Sequence, residues 1–166
     1  MNIIRSCFDN FYDCIKPLVF SLTKYDLEKA HELFVKFSQV VYSTGLEKFI
    51  LDNKTNQIDN NFEISNAAGF NKNADIPPIF LKYLGLDRVV IGTVTGDYWK
   101  GNERPRMTRY PATESLVNWM GLPGIGAEKI SEKLLDYGDH QIPITINLMA
   151  TPNKKGDGIL KDLKKV

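Results

Sequence analysis

The chain has 166 residues, 43% of them hydrophobic and 25% charged, which is typical of one globular domain and too apolar for a disordered chain. Its formal net charge of +1 gives no bulk attraction to nucleic acid or to a membrane surface, and no apolar run approaches the ~20 residues of a transmembrane helix. Two cysteines exclude a disulfide-rich scaffold, and their spacing matches no zinc motif. A function must therefore be sought in motifs.

The first third of the chain predicts two amphipathic helices and a linker. Apolar residues recur at helical spacing over residues 3–21 and again over 26–44, where Asp26 opens the pattern and Gly45 ends it. The run 52–61 is polar and rich in turn-forming residues. We therefore expect a helical extension over residues 1–50, a linker over 51–61 and a second unit over 62–166.

Beyond the linker, predicted strands alternate with predicted helices. Strands and helices that alternate in this way form a parallel sheet with right-handed crossovers, so the order predicts an α/β fold. The predicted strands are 62–66, 88–95 and 142–148, the predicted helices are 76–84, 125–137 and 156–166, and a basic segment without clear periodicity covers 96–112.

Two of the predicted strands end in residues that suit a ligand. Ala67–Asn73, with the sequence AAGFNKN, follows the first strand, and Gly92–Thr95 ends the second. Parallel α/β folds bind ligands at the carboxyl ends of their strands, where small residues let the backbone come close and Lys72 could meet a negative charge. Each pattern also fits an ordinary turn with a solvated lysine or with capping threonines. Neither identifies a site by itself.

Residues 98–110 mix basic and aromatic side chains, which can neutralise and stack on a nucleic-acid strand. A solvated loop or hairpin is the commoner reason for such a run, and the near-zero net charge adds nothing to the nucleic-acid interpretation. We therefore keep nucleic-acid binding as an alternative and do not expect it. The side chains concerned are Tyr98, Trp99, Lys100, Arg104, Arg106, Arg109 and Tyr110.

Six sequence blocks follow one another in a fixed order: Tyr25–Glu32, Ala67–Asn73, Ile91–Thr95, Gly101–Arg109, Leu116–Gly121 and Ile144–Asn147. In this order they resemble the N-terminal half of the membrane-associated, quinone-dependent dihydroorotate dehydrogenases. The resemblance implies a partial FMN-binding (β/α)8 TIM-type barrel of about three βα units, preceded by a two-helix N-terminal extension. In that family dihydroorotate gives a hydride to the flavin N5 and becomes orotate, and ubiquinone reoxidises the flavin, a step of pyrimidine (UMP) biosynthesis.

The resemblance also implies roles for individual residues. Lys72 matches a lysine near the flavin pyrimidine edge and the substrate, where a cation favours the anionic reduced flavin. The implied FMN contacts are Ala68, Gly69, Phe70, Asn71, Lys72, Thr93 and Asn147. The implied substrate contacts are Lys72, Asn118, Trp119, Met120, Gly121 and Leu122, and the implied quinone-site positions are His31 and Arg109. No metal ligands are implied, and the family's catalytic serine base has no counterpart in these 166 residues.

The chain departs from the family pattern at four places. Asn71 stands where the family has Asp, and Gly96 stands where it has Pro. Leu122–Gly124 replaces Phe-Asn-Asn in the substrate loop, and Leu148–Thr151 replaces Ile-Gly-Lys-Asn after the third strand. The last two changes alter the substrate loop and, through the missing Lys, the mouth of the third strand.

Three hypotheses remain open from the sequence. The first is a truncated and divergent quinone-dependent dihydroorotate dehydrogenase that is inactive alone, because residues 62–166 are far fewer than the ~250 of a full barrel. A second chain could supply the missing half, and the two N-terminal helices would attach the protein peripherally to a bacterial or mitochondrial inner membrane; otherwise we expect it in the cytoplasm. The second is a non-catalytic remnant or interaction module that kept part of the fold. The third is nucleic-acid binding through residues 98–110.

Overall fold

The computed structural model describes residues 17–18, 21–23, 26–46, 62–113 and 115–166. The predicted linker over 51–61 and most of the predicted helix over 3–21 lie outside these residues, so both stay predictions, as does the division at residues 50 and 61. No helix in the described ranges is long and apolar enough to cross a membrane.

Helices and strands alternate along the described part of the chain, as the sequence pattern predicts. The main departures are an additional pair of strands, β2 and β3, and the absence of a strand before the first short helix. In chain order the elements are α1 (Leu27–Thr44), α2 (Pro78–Tyr83), β1 (Val89–Val94), β2 (Met107–Tyr110), a 3-10 turn (Pro111–Thr113), β3 (Ser115–Asn118), α3 (Ala127–Asp136), β4 (Ile144–Leu148) and α4 (Asp157–Leu163).

Helix α1 begins and ends where the sequence predicts. The Asp26 carboxylate accepts hydrogen bonds from two N–H groups of the first turn, at 3.0 and 3.2 Å. Gly45 closes the helix with a φ of 68°, a left-handed conformation that costs glycine little. Phe34 packs on the core, and its ring centre lies 6.0 Å from that of Phe80 on α2. These contacts fix α1 above the sheet.

Strands β1 and β4 pair in parallel, with Val89 opposite Ile144 and Ile91 opposite Ile146. Strand β1 is largely buried, as its nearly continuous apolar sequence predicts. Strand β4 is more exposed, and Leu148 keeps half of its surface open to solvent. The core gathers on the β1 side, from Ile76, Phe80, Leu81, Val89, Ile91, Val94 and Ile130.

The prediction of a strand over 62–66 is wrong. Ser65 makes only an isolated parallel bridge with Arg88. The Asn66 side chain takes the place of further ladder bonds, because its amide accepts from the Val90 N–H at 2.9 Å and donates to the Val90 carbonyl at 2.7 Å. The segment therefore lies along β1 without becoming a strand.

The prediction that 96–112 is irregular is also wrong in part. Strand β2 pairs with β3 as an antiparallel hairpin, with Met107 opposite Asn118 and Tyr110 opposite Ser115. All four residues of β3 are exposed, so no alternation of buried and exposed positions marks the strand in the sequence.

Candidate functional site

An open cleft of about 1010 Å³ lies between α1, the turn after residue 67 and the hairpin. It brings together most of the residues singled out from the sequence: His31, the turn residues 68–72, Thr93 and the loop residues 118–122 all line it. We call this space the α1 cleft. Residues from four separate stretches of the chain thus share one cavity at the carboxyl end of β1.

The structure leaves Asn147 and Arg109 outside the lining of the α1 cleft. Asn147 remains close to it, because the Thr93 hydroxyl donates to the Asn147 side-chain oxygen at 2.7 Å. Arg109 lies exposed on β2, two residues beyond Met107, which does line the cleft. The proposed quinone pair of His31 and Arg109 is therefore not gathered in this cavity, whereas the proposed substrate residues and the proposed flavin residues other than Asn147 are.

Asn71 anchors the turn that carries Lys72. Its side chain is 1% exposed and bonds both backbone groups of Ile76, donating to the carbonyl at 2.8 Å and accepting from the N–H at 3.0 Å. The turn also joins the end of β1, because the Gly92 N–H donates to the Asn71 carbonyl at 3.2 Å. The backbone on either side of Lys72 is thus fixed.

Gly92 lets the two strands approach closely at their carboxyl ends. Its φ is 108°, and a Cβ atom at this position would lie 2.4 Å from the carbonyl oxygen of Asn147. Only glycine fits both the backbone conformation and the space. This contact keeps Thr93 and Asn147 within hydrogen-bonding distance.

Lys72 carries a positive charge into the α1 cleft. Its side chain is half-buried, and its ammonium group donates to the Met120 sulfur at 2.9 Å. Burial lowers the pKa of Lys72, the positive charge of Arg106 lowers it further, and Glu28 opposes both effects. Among the described residues Lys72 forms no ion pair within 4 Å, so its charge can be used by an anionic ligand.

His31 faces the same space from α1. Its ring lies edge-on to Phe70, with ring centres 5.2 Å apart. Burial lowers the pKa of His31, and the charge of Lys72 lowers it further, although Asp75 and Glu32 act in the opposite direction. The imidazole is therefore mostly neutral at pH 7.

Sequence reasoning missed Glu28, which is 6% exposed in the first turn of α1. Its carboxylate accepts from the Arg106 Nε at 2.9 and 3.2 Å, and Arg104 Nε lies 3.1 Å from it. The sequence feature that could have identified Glu28 is its position three residues before His31, because this spacing places both side chains on one side of the helix. Since Lys100 also pairs with Glu103, most of the basic side chains assigned to nucleic-acid contact are bound to carboxylates.

Comparison with known proteins gives the same family that the sequence blocks resemble. The family described as Dihydroorotate dehydrogenase matches residues 51–166. A "Dihydroorotate dehydrogenase (quinone)" of Natronomonas pharaonis is 32% identical over 157 residues, covering 88% of this chain and 43% of the relative. A protein of the same name from Haloarcula marismortui is 35% identical over 149 residues, covering 84% of this chain and 41% of the relative. The chain thus spans about two fifths of the length of the curated relatives it matches.

A solved structure supports the fold. The crystal structure of DHODH from Eimeria tenella in complex with ferulenol superposes with a TM-score of 0.65 at 21% identity, covering 85% of this chain and 40% of that one. With the parallel β1–β4 pair, this likeness confirms the predicted partial α/β barrel. From the family match and the relatives together, the chain belongs to the dihydroorotate dehydrogenase family.

Proposed function

We propose that the α1 cleft is one part of an FMN and dihydroorotate site, and that the chain serves the quinone-dependent oxidation of dihydroorotate to orotate. The observation that carries the proposal is the gathering of the turn residues 68–72, Thr93 and the loop residues 118–122 around the half-buried cation of Lys72. The curated relatives bear the name of this activity. The reaction places the protein in pyrimidine biosynthesis.

The residues of the cleft fit a flat, anionic cofactor. The turn at Ala68 and Gly69 offers backbone with little side chain, and a Cβ atom on Gly69 would come within 3.9 Å of the Lys72 side chain. Thr93 and Asn147 add a hydroxyl and an amide at the strand ends. We assign Ala68, Gly69, Phe70, Asn71, Lys72, Thr93 and Asn147 to hold FMN, which accepts a hydride from the substrate when it is bound.

The substrate carboxylate needs a cation and hydrogen-bond donors in the same place. Lys72 supplies the charge, and Asn118 supplies an amide at the start of the loop that continues through Trp119 to Leu122. Met120 touches the Lys72 ammonium group, so the loop and the cation form one surface. We assign Lys72 and residues 118–122 to dihydroorotate.

Completion of the site requires the rest of the barrel, in the same chain or in a second one. The matched region is about two fifths of the curated relatives, and the family resemblance implies that the catalytic serine base belongs to the remainder. Ile146, Leu148 and Met149 expose apolar surface at β4, where the next unit of a barrel would pack. We therefore expect these 166 residues to bind ligand without completing the reaction.

Absorbance spectra of the purified chain, with and without added FMN, test the proposal. Lys72→Ala should weaken FMN binding about tenfold, because a charge-assisted contact is lost, while Lys129→Ala on the exposed face of α3 should bind as the parent does. Bleaching of bound flavin by dihydroorotate is the next measurement. A folded chain that binds no FMN, or equal affinity of both variants, would contradict the proposal and favour a non-catalytic interaction module.

We further propose that α1 attaches the protein peripherally to a membrane. Leu33, Phe37 and Val40 follow helical spacing and leave 42%, 50% and 58% of their surfaces exposed, which gives α1 an apolar outer face of the kind that peripheral attachment uses. Deletion of residues 1–45 should reduce pelleting with liposomes, because peripheral attachment depends on such faces. Equal pelleting of the full and shortened chains, both shown to be folded by circular dichroism, would contradict membrane attachment.

A further inference from the structure

The 118–122 loop is held in place through its carbonyl groups. The Trp99 indole N–H donates to the Gly121 carbonyl at 2.9 Å. The Asn102 backbone N–H donates to the Met120 carbonyl at 2.9 Å, and the Asn102 side-chain amide donates to the Trp119 carbonyl at 2.5 Å. Three successive carbonyls of the loop are therefore bound by one short segment, residues 99–102.

Arg106 in turn fixes that segment. One of its terminal nitrogens donates to the Lys100 carbonyl at 3.3 Å and to the Asn102 carbonyl at 3.2 Å. Its own carbonyl accepts from the Trp119 N–H at 2.9 Å, so Arg106 also bonds the loop directly through the backbone. The side chain is only 10% exposed and is surrounded by groups that accept its hydrogen bonds.

Glu28 holds Arg106 from the opposite side. The Arg106 Nε lies 2.9 Å from the Glu28 carboxylate, and both residues are buried. A buried charge that loses its partner is strongly disfavoured, so the two side chains stay together. Because Glu28 lies on α1, the pair joins this helix to the segment that carries the loop.

We infer that Arg106, held by Glu28, is a positioning residue that sets the 118–122 loop against Lys72. The inference rests on the proposed function for the identity of the ligand that the loop contacts. It adds that α1, which carries His31, is bonded through this pair to the loop on the far side of the cleft. The pair thereby connects α1 to the surface beside Lys72.

The two tryptophans of the chain make the loop measurable without any ligand. In the ¹⁵N-labelled full chain, Trp99 and Trp119 give two indole N–H signals, assigned with Trp99→Phe and Trp119→Phe. Solvent exchange of the Trp99 indole reports its bond to the Gly121 carbonyl. We expect this exchange to accelerate about tenfold in Arg106→Lys and in Glu28→Gln, because a bond of about 1 kcal/mol or more is weakened.

The matched control is Glu32→Gln. Glu32 lies one turn further along α1 and pairs with Arg104 at 2.6 Å, and neither side chain bonds a carbonyl of the 99–102 segment. The Trp99 exchange rate should stay at the parent value in this variant. An equal acceleration in Glu32→Gln would overturn the inference, since any change on α1 would then have the same effect.

Circular dichroism of each variant separates loop positioning from a general loss of structure. Should Arg106→Lys fail to fold, Glu28→Gln decides, because glutamine keeps the volume and a hydrogen-bond acceptor. An unchanged Trp99 exchange rate in a folded Glu28→Gln chain would overturn the inference. Unfolding of both variants would also overturn it, because the Glu28–Arg106 pair would then support the whole fold and not the loop alone. Failure of the chain to bind FMN would refute the proposed function and leave this measurement unaffected.

Discussion

Replacement of Asn71 by aspartate, the residue that the family resemblance places here, should destabilise the chain. The present side chain uses both ends of its amide to bind the backbone of Ile76. In Asn71→Asp the carboxylate can still accept from the Ile76 N–H. Its other oxygen faces the Ile76 carbonyl, which lies 2.8 Å from the present donor and then has no partner.

The expected loss follows from these contacts. An unpaired buried carbonyl costs about 1–3 kcal/mol, and the stronger bond of an ionised acceptor to the Ile76 N–H returns about 1 kcal/mol. Burial of the new charge adds to the loss, because Asn71 is 1% exposed. We expect a net decrease of about 2 kcal/mol in the free energy of unfolding, or a shift of about 1 M in the urea midpoint.

The loss of stability in Asn71→Asp should depend on pH in a definite direction. Burial raises the pKa of the carboxyl group introduced by Asn71→Asp above its unfolded value of about 3.9, so the folded state binds more protons than the unfolded state. The loss is therefore complete above the raised pKa and shrinks as the pH falls from that pKa towards the unfolded value of about 3.9. Below that pKa the protonated acid can donate to the Ile76 carbonyl again.

Urea unfolding at pH 7.5 and at pH 4.5 measures both effects. Asn153→Asp is the matched control, since it adds the same charge at an exposed position. The gap in stability between the two variants should be about 2 kcal/mol at pH 7.5 and smaller at pH 4.5. Equal stability at pH 7.5, or a gap that widens as the pH falls, would refute the reasoning.

Two further substitutions test buried contacts near the carboxyl ends of β1 and β4. Asp162→Ala should lower the free energy of unfolding by about 2–3 kcal/mol, since the buried N–H and hydroxyl of Thr151 lose their acceptor. Burial raises the pKa of Asp162, but the two bonds to Thr151 outweigh burial, and the net effect is a lowered pKa. The stabilisation by Asp162 is therefore present at neutral pH and is lost as the pH falls through this lowered pKa. Urea unfolding between pH 7 and pH 3 measures this loss. Gly92→Ala should cost about 3 kcal/mol or more, because its Cβ would lie 2.4 Å from the Asn147 carbonyl. Gly138→Ala, also at positive φ but in open space, controls for the backbone effect in thermal unfolding, and equal melting temperatures would show that the close approach does not matter.

The helices and the parallel strands were predictable because their signals are local. Asp26 and Gly45 mark the two ends of α1 by capping chemistry that four or five residues determine. The apolar run of β1 likewise requires burial wherever it lies. The β2–β3 hairpin gave no such signal, because its strands have four residues each and β3 is exposed throughout.

The site was predictable only in part, for a different reason. The turn around Lys72 and the 118–122 loop were found through resemblance. Glu28 and Arg106 also lie in two of the matching blocks, but they are 78 positions apart and nothing in either block pairs them. Arg106 stood out only as one of several basic residues. Its role depends on which carbonyls surround it, and that arrangement is created by the packing of α1 on the hairpin.

The departures from the family pattern are accommodated by contacts within this chain. A Cβ atom at Gly96 would lie 2.6 Å from the Asp162 carboxylate, so the proline of the family could not stand beside this aspartate. Gly124 exchanges two backbone hydrogen bonds with Trp99, at 2.8 and 2.9 Å, and Asn71 satisfies both backbone groups of Ile76. Gly96, Gly124 and Asn71 therefore each fit the neighbours that this chain provides, so the positions where it departs from the resemblance do not by themselves disrupt the fold around the cleft.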